Sequence, residues 1–329
     1  MFQIVFLGDS INILIDPLLF LQFLREISGG IFNSFFVTCS LFGETTIMIF
    51  LISAIYWCLD KKLGEYILIS ASFADLVNGL LKVTACIYRP WILDSRVHPV
   101  EDAIAGATGY SFPSGHTTTA TTVFGGTVLR GKFPKALNIA LIICLVLVGF
   151  SRNYLGVHSI LDVIFGFIFT LIVLLIISKL FDMLEEKPNL DIVISCIGIV
   201  LSILIVIYAL TKSYPMDYDA AGRLIVDPAV LTIDTFKNAG LAIGTLMWWP
   251  IERRFIKFVT DGTVETKVTR FIFGYIALTL IITAIMPLLG NTPLGGFLQN
   301  FVLMTFVILI YPAIIKFFQN RKNSIFKKI

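Results

Sequence analysis

Long runs of apolar residues recur along the whole chain, and they limit most strongly what it can fold into. Several of these runs approach the ~20 residues that an α-helix needs to cross a lipid bilayer. Charged residues make up only 14% of the 329 residues, and the mean hydropathy is +0.89. Because a soluble domain carries about 25% charged residues, the chain is predicted to be an integral membrane protein.

Nine segments have the composition of membrane spans. A segment in lipid must satisfy its backbone polar groups without water, which leaves helices or closed barrels. The alternating polarity of barrel strands does not occur in these segments, so the predicted fold is all-α, a polytopic membrane helix bundle. The predicted spans are residues 34–59, 63–82, 115–131, 135–150, 157–181, 191–211, 233–250, 270–289 and 297–319.

Basic residues are distributed unevenly between the two sides of such a bundle. If the turn at Lys61-Lys62 is cytoplasmic, as the excess of lysine and arginine on cytoplasmic loops suggests, 17 of the 25 basic residues share that side. These are Lys61, Lys62, Arg130, Lys132, Lys135, Lys179, Lys187, Arg253, Arg254, Lys257, Lys267, Arg270, Lys316, Arg321, Lys322, Lys327 and Lys328. The net charge of +3 reflects this excess, and no nucleic-acid partner is expected.

Three short polar islands interrupt the apolar sequence, all on the predicted extracytoplasmic side. Together they supply three cations, two of the chain's three histidines, one carboxylate and a Ser-Gly turn. These are the parts needed to hold and cleave a phosphate. The islands are Lys82 with Arg89-Pro90, then Pro113-Ser114-Gly115-His116, then Ser151-Arg152 with His158 and Asp162.

In the third island, His158 and Asp162 are four residues apart and share one face of a helix. A carboxylate at this spacing can bind one ring nitrogen and leave the other as a basic nucleophile. A polar pair that caps a helix end is the plainer alternative for these two residues alone. Arg152 favours the chemical interpretation, because its planar guanidinium matches phosphate oxygens.

The second island precedes the predicted span 115–131. A turn at a helix start offers unpaired backbone N–H groups and the positive end of the helix dipole, which together bind anions. His116 at this position can protonate a leaving oxygen. The alternative is an ordinary N-cap, formed by Ser114 before a threonine-rich first turn.

The first island ends a polar stripe within the predicted membrane region. Asp75, Asn78 and Lys82 are spaced i, i+3 and i+7 on one helix face. Polar residues inside a membrane usually face a cavity, because a charge at the midplane costs roughly 2.5–3.5 kcal/mol or more. We therefore expect Asp75 and Asn78 to line the pocket, together with Glu44 of the predicted first span.

The islands carry a family resemblance over about residues 60–181. Lys82-x6-Arg89-Pro90, Pro113-Ser114-Gly115-His116 and Ser151-Arg152-x5-His158-x3-Asp162 match, in order and spacing, the signature of the type 2 phosphatidic acid phosphatase (PAP2) superfamily. The third island also looks like the sphingosine-1-phosphate phosphatase branch and its bacterial relatives, which carry extra C-terminal spans.

The resemblance implies a role for each island. It implies that His158 attacks phosphorus to form a phosphohistidine, that Asp162 orients it, and that His116 protonates the leaving group. Residues implied to hold the phosphoryl oxygens are Lys82, Arg89, Ser114, Gly115 and Arg152. No cofactor and no metal are expected, since three fixed cations supply the charge and no His, Cys or Asp cluster has metal-ligand spacing.

The chain is expected to have three parts. Residues 1–33 are predicted to be an interfacial segment, because the apolar stretch 11–27 is short and carries charges; a tenth span is the alternative. Residues 34–181 form the predicted PAP2-like catalytic core. Residues 182–329 form a C-terminal transmembrane extension without an obvious reactive cluster.

The expected function is hydrolysis of a lipid phosphomonoester or diphosphate at the extracytoplasmic leaflet of a cell (inner) membrane. The expected partners are thus a lipid phosphate substrate and membrane lipids. Two alternatives are a phosphotransferase that uses the same phosphohistidine and a non-enzymatic transporter. The complete set of His116, His158 and Asp162 argues against the transporter. The Gly240-x-x-x-Gly244 spacing predicts close helix packing and is compatible with a homodimer.

Overall fold

The computed structural model describes residues 8–219 and 221–326. Within these ranges the chain is helical and has no β-strand, only an isolated antiparallel bridge between Tyr218 and Leu224. The first seven residues of the predicted interfacial segment lie outside the described residues, as do Lys327 and Lys328. The all-α prediction is confirmed.

Fifteen α-helices follow one another in the described residues. They are α1 (Gly8–Ile27), α2 (Asn33–Leu41), α3 (Thr45–Ala54), α4 (Lys61–Ala85), α5 (Pro90–Leu93), α6 (Glu101–Ile104), α7 (Gly115–Ala120), α8 (Gly126–Arg130), α9 (Lys135–Tyr154), α10 (Ile160–Glu186), α11 (Leu190–Thr211), α12 (Pro228–Ile251), α13 (Val264–Leu280), α14 (Pro293–Met304) and α15 (Tyr311–Phe326). Segments of other helix types continue several of them. These are the wider π-helical segments Ile55–Leu59, Thr121–Gly125, Glu252–Ile256, Ile281–Ile285 and Thr305–Ile310, and the tighter 3₁₀ segment Met286–Leu289.

Six of the described helical segments are long and apolar enough to cross a membrane, so the chain is a multi-pass membrane protein. They are Lys61–Leu93, Lys135–Tyr154, Ile160–Glu186, Leu190–Thr211, Val264–Leu289 and Pro293–Arg321. A seventh results if Asn33–Leu41 and Thr45–Leu59, which meet at a bend of 53°, form one span. The predicted span 34–59 is therefore broken, at the turn that contains Gly43 and Glu44.

Two of the nine predicted spans are helical but do not belong to this set. The helix from Gly115 to Arg130 consists of segments of 6, 5 and 5 residues, and at 1.5 Å per residue it is about 24 Å long. The second is α12, whose apolar character is reduced by Asp234, Lys237 and Asn238.

Two compact units share the chain, and their segments alternate along the sequence. The first consists of residues 1–48, 77–174 and 211–231. The second consists of residues 49–76, 175–210 and 232–329. All three polar islands belong to the first unit.

The hydrophobic core of the first unit includes the turn that precedes His158. Leu155 and Val157 are fully buried, and they pack with Tyr154, Ala103 and Ala107. Because these residues flank the third island, burial of apolar side chains fixes the backbone that carries it.

Helix α1 packs against the loop between the first two islands. Leu14 and Ile15 are buried against Val97. The buried guanidinium of Arg25 donates to the carbonyl oxygen of His98 and, across 3.1 Å, to that of Tyr154. Helix α1 therefore ties this loop to the end of α9.

In the second unit, α12 and α14 pack closely at two glycines. A Cβ atom at Gly240 would lie 2.2 Å from the carbonyl oxygen of Phe297, and one at Gly244 would lie 2.9 Å from Cβ of Met304. The close helix packing predicted from the glycine spacing thus occurs within one chain. The motif consequently gives no support to a homodimer.

Candidate active site

The three islands lie at helix ends within the first unit. Lys82 lies in the last turn of α4, Arg89 precedes α5, and Ser114 precedes α7. The third island joins the end of α9 to the start of α10. Each island is thus at the helix end remote from the basic turns at Lys61, Arg130 and Lys135.

A tight turn between α9 and α10 presents His158. The backbone N–H groups of Val157 and His158 both donate to the carbonyl oxygen of Arg152, across 3.1 and 3.3 Å. Gly156 within the turn has φ +75°, a left-handed conformation that favours glycine. The amide of Asn153 donates to the carbonyl oxygen of His158 across 2.9 Å. Backbone bonds therefore set the spacing between Arg152 and His158.

Asp162 faces His158 from the first turn of α10, but the two residues do not share a helix face as their spacing predicts, because His158 lies in the bend before the helix begins at Ile160. Nδ1 of His158 lies 3.5 Å from Oδ2 of Asp162, and both side chains are buried. The same oxygen accepts hydrogen bonds from the Ser111 hydroxyl at 2.6 Å and from the Ser159 backbone N–H at 2.7 Å. The His–Asp separation exceeds a standard hydrogen bond, and catalytic hydrogen bonds commonly shorten only in the substrate complex.

Arg89 lies against the other nitrogen of the His158 ring. Its Nη1 is 2.8 Å from Nε2 of His158 and also donates to the carbonyl oxygen of Val157, at 3.0 Å. Nε donates to the carbonyl of Gly109 at 3.2 Å, and Nη2 donates to that of Thr108 at 2.7 Å. A phosphorus atom at Nε2 would therefore be adjacent to a fixed guanidinium.

The surroundings of His158, which precedes α10, keep its ring neutral. Burial lowers the pKa of His158 well below its usual value, and the charges of Arg89, Arg152 and Lys82 add to this effect. The neutral imidazole is the form with a lone pair for attack. The direction of this shift favours the neutral ring.

Arg152 is almost fully buried, and its guanidinium is only partly hydrogen-bonded. Nη1 donates to the Ser40 hydroxyl, whereas Nε and Nη2 have no hydrogen-bond acceptor among the described residues. Unpaired buried donors cost free energy, so donors held in this state are suited to an anionic ligand. Two adjacent N–H groups of a guanidinium match two phosphate oxygens.

The second island forms the start of α7, and Ser114 is the N-cap. Its hydroxyl accepts from the backbone N–H of Thr117 at 3.3 Å, so the N-cap interpretation holds. Its own backbone N–H donates to the carbonyl oxygen of Asp162 at 3.0 Å, which joins the second island to the third. The first-turn N–H groups of Gly115 and His116 have no acceptor within the helix. A Cβ at Gly115 would contact nothing within 4 Å, so this turn borders open space suited to an anion.

The three predicted pocket-lining residues have different positions. Glu44 accepts a hydrogen bond at 3.0 Å from Nε2 of His116, which is 12% exposed. Asn78 donates to the hydroxyl of Thr118 at 3.0 Å and so supports the second island from α4. Asp75 belongs to the second unit, where its backbone oxygen accepts from Asn238 at 3.4 Å, and its place in the pocket stays a prediction.

Sequence reasoning missed three polar residues of the cluster: Ser111, Ser40 and Asn153. Ser111 contacts Asp162, Ser40 contacts Arg152, and Asn153 supports the His158 backbone. Ser111 offered one signal, its position two residues before Pro113. Ser40 lies within an apolar run and offered none. Across the described part of the chain, no group of three or more His, Cys, Asp or Glu residues is arranged to hold a metal ion.

Comparison with protein-family models gives two matches. Residues 63–186 match the PAP2 superfamily model, and residues 236–322 match the model of the PAP2 superfamily phosphatase transmembrane extension. The first match contains all three islands, and together the two matches cover more than half of the chain.

Comparison with curated proteins finds relatives with three different names. The sphingosine-1-phosphate phosphatase 1 of Rattus norvegicus is 35% identical over 135 residues, 40% of this chain and 30% of the relative. The undecaprenyl-diphosphatase of Sulfolobus acidocaldarius is 36% identical over 108 residues, 33% of this chain and 50% of the relative. The phosphatidylglycerophosphatase B of Bacillus subtilis is 34% identical over 100 residues, 28% of this chain and 48% of the relative. The chain thus matches half or less of the length of these relatives, and no solved structure matches it significantly.

Proposed function

Because the chain belongs to the PAP2 superfamily, we propose that it is an integral-membrane lipid phosphate phosphatase. The observation that carries the proposal is the buried cluster in which His158 lies 3.5 Å from Asp162 and 2.8 Å from Arg89. In this arrangement the carboxylate of Asp162 can orient the neutral imidazole. The guanidinium of Arg89, on the other side of the ring, can bind a phosphate.

The reaction we propose has two steps through a phosphohistidine. In the first, Nε2 of His158 attacks phosphorus, the P–O bond to the lipid breaks, and His116 donates a proton to the leaving oxygen. In the second, water attacks phosphorus, the P–N bond breaks, and His116 takes up the proton that the water loses. Asp162 stabilises the charge that develops on the His158 ring in each step.

The phosphoryl oxygens would be held by cations and by backbone donors. Arg89 is adjacent to Nε2, Arg152 has two unpaired N–H groups, and Lys82 is close enough for its charge to affect His158. The N–H groups of the turn at Ser114 and Gly115 add donors at a helix start. Since these fixed groups can neutralise the charge of the transition state, we propose that turnover is independent of metal ions.

We further propose that the site opens at the extracytoplasmic leaflet. Supporting this, 17 of 25 basic residues are on the side of Lys61-Lys62 when that turn is taken as cytoplasmic. In this arrangement the islands lie at the opposite helix ends, at about headgroup depth. A lipid could keep its tail in the membrane while its phosphate reaches Arg89 and Arg152.

A substrate panel tests the proposal. Purified protein in detergent would be given sphingosine-1-phosphate, undecaprenyl diphosphate, phosphatidylglycerophosphate and phosphatidic acid, and phosphate release would be measured. The first three of these lipids appear in the names of the relatives described above. We expect release from at least one lipid, and none from the same lipid with the His158→Ala variant. Transfer of the phosphoryl group to a sugar or a second lipid, without free phosphate, would contradict hydrolysis.

A further inference from the structure

The break between α2 and α3 lies directly against His116. Three backbone bonds of i, i+3 type close the turn, from Phe42 to Cys39, from Gly43 to Ser40 and from Glu44 to Leu41, at 2.8–3.2 Å. The carbonyl oxygen of Glu44 then accepts from Met48 at 3.1 Å, which starts the next helix. The side chain of Glu44 therefore projects from a backbone turn that is fixed on both sides.

Gly43 permits the close approach of this turn to His116. A Cβ at Gly43 would lie 2.6 Å from Cβ and 3.0 Å from Cα of His116, which no larger residue could occupy without displacement. Oε1 of Glu44 lies 3.0 Å from Nε2 of the same ring. His116 is thus enclosed by backbone on one side and bonded to a carboxylate.

The same turn also holds a cation of the site. Ser40, at the end of α2, accepts a hydrogen bond from Arg152. The segment 40–44 therefore contacts two of the three islands, although it lies upstream of the residues 63–186 that match the PAP2 model. The two contacts involve different side chains, on α7 and α9, and the carboxylate of Glu44 also interacts electrostatically with Arg152.

We propose that Glu44 is a positioning residue for the leaving-group acid, His116, and thereby controls proton transfer to the departing lipid oxygen. The proposal rests on the proposed function. Glu44 keeps a proton on Nε2 of His116, so that Nδ1 exchanges a proton with the substrate. Nδ1 loses its proton to the leaving oxygen in the first step and takes one from water in the second. Throughout, the Nε2–H bond to Glu44 persists, so the ring alternates between the imidazolium and the neutral Nε2–H tautomer.

The charge of Glu44 has a further consequence for the acid step. Only the imidazolium form of His116 can protonate a leaving oxygen, and a carboxylate bonded to the ring stabilises that form. A glutamine would keep the shape and an oxygen acceptor but would remove the charge. Glu44→Gln therefore separates the acid step from the packing of the turn.

The first test compares two leaving groups. Alkyl phosphates need protonation of the leaving oxygen, whereas p-nitrophenolate leaves without it. We expect Glu44→Gln to lower kcat/KM, which reports the first step, by about 10- to 100-fold on a lipid alkyl phosphate, within the range of general acid catalysis, and to change kcat/KM on p-nitrophenyl phosphate by less than about 3-fold. Glu101→Gln, at the exposed first residue of α6, serves as the matched control and should change kcat/KM on neither substrate. Equal losses on both substrates, or no loss on either, would overturn the proposal.

The second test does not depend on activity. The chain has three histidines, so ¹⁵N-histidine spectra with single His→Gln variants can assign the tautomer of His116. At a pH at which the His116 ring is neutral, we expect the Nε2–H tautomer in the unmodified protein and loss of that preference in Glu44→Ala. An Nδ1–H tautomer in the unmodified protein would overturn the positioning role even in an active enzyme. Conversely, if no lipid of the panel releases phosphate while His116 keeps the Nε2–H tautomer, the proposed phosphatase activity is rejected. The positioning of His116 by Glu44 is then not rejected.

Discussion

The hydroxyl of Ser111 donates to Oδ2 of Asp162 across 2.6 Å and lies 3.4 Å from Nδ1 of His158. Ser111, in the segment just before the second island, thus contacts both members of the His–Asp pair. Because a carboxylate with two fixed donors cannot rotate easily, Ser111 and the Ser159 N–H hold Oδ2 where the imidazole needs it.

Ser111→Ala should lower kcat by about 10- to 100-fold with a smaller change in KM, since a hydrogen bond to a charged group contributes ~1.5–3 kcal/mol. The substrate contacts of Arg89 and Arg152 would remain. Steady-state kinetics on the best lipid of the panel provide the measurement. Ser95→Ala, at an exposed position in the loop between the first two islands, is the matched control. Unchanged kcat in Ser111→Ala would show that Asp162 is oriented without the hydroxyl.

His158→Ala should abolish turnover, by at least ~10⁴-fold, because it removes the nucleophile of both steps. Rapid-quench labelling with a ³²P-lipid should trap an acid-labile phosphoenzyme in the unmodified protein and none in the variant. The variant should elute at the same position in size-exclusion chromatography. A phosphoenzyme that survives this substitution would move the nucleophile to another residue.

Arg152→Lys should raise KM more than it lowers kcat, with a drop of about 10- to 100-fold in kcat/KM. A lysine keeps the charge but loses the two adjacent donors, and a guanidinium fork binds two phosphate oxygens at once. The same change at Arg96, an exposed arginine that pairs with Asp94, is the control. If both variants match the unmodified protein, Arg152 does not bind the phosphate.

Removal of metal ions should leave activity within about 2-fold, since fixed cations supply the positive charge. The assay is phosphate release after dialysis against EDTA, with and without added magnesium. Vanadate should inhibit strongly, because its five-coordinate form resembles the transition state and such analogues bind far more tightly than substrates. Loss of activity in EDTA that magnesium restores would refute metal independence.

A cysteine at Ser95 should react with an impermeant maleimide in intact cells, and one at Asn320 should react only after lysis. Both positions are exposed, and they lie on opposite sides in the predicted orientation. The background needs replacement of the native cysteines, which are Cys39, Cys58, Cys86, Cys144 and Cys196. The reverse labelling pattern would move the substrate to the cytoplasmic leaflet.

Local periodicity explains what could be predicted from the sequence. The apolar runs locate seven of the predicted spans. The contact of His158 with Asp162 was predicted from their closeness in the chain, although His158 lies before α10 and not on its face. Such patterns depend on residues that are close in the chain. They do not depend on how distant segments meet.

Contacts between distant segments account for most of what was missed. Ser111 is 51 residues from Asp162, and Ser40 is 112 residues from Arg152. A serine has the same composition signal whether it caps a helix, bonds its own backbone or supports a catalytic group. The break at Gly43 was missed for a related reason: an isolated glycine is tolerated in a helix, and only its contact with His116 explains it.

The carbonyl bonds of Arg89 also affect how tightly a substrate can bind. A mobile arginine loses up to ~2 kcal/mol of rotamer entropy when a ligand immobilises it. The Arg89 side chain is already immobilised by the carbonyl oxygens of Gly109, Thr108 and Val157. Its entropy is lost when the protein folds, so little of it remains to be lost on binding. The entropy cost of ordering Arg89 therefore lowers the stability of the folded protein and not its affinity for the lipid.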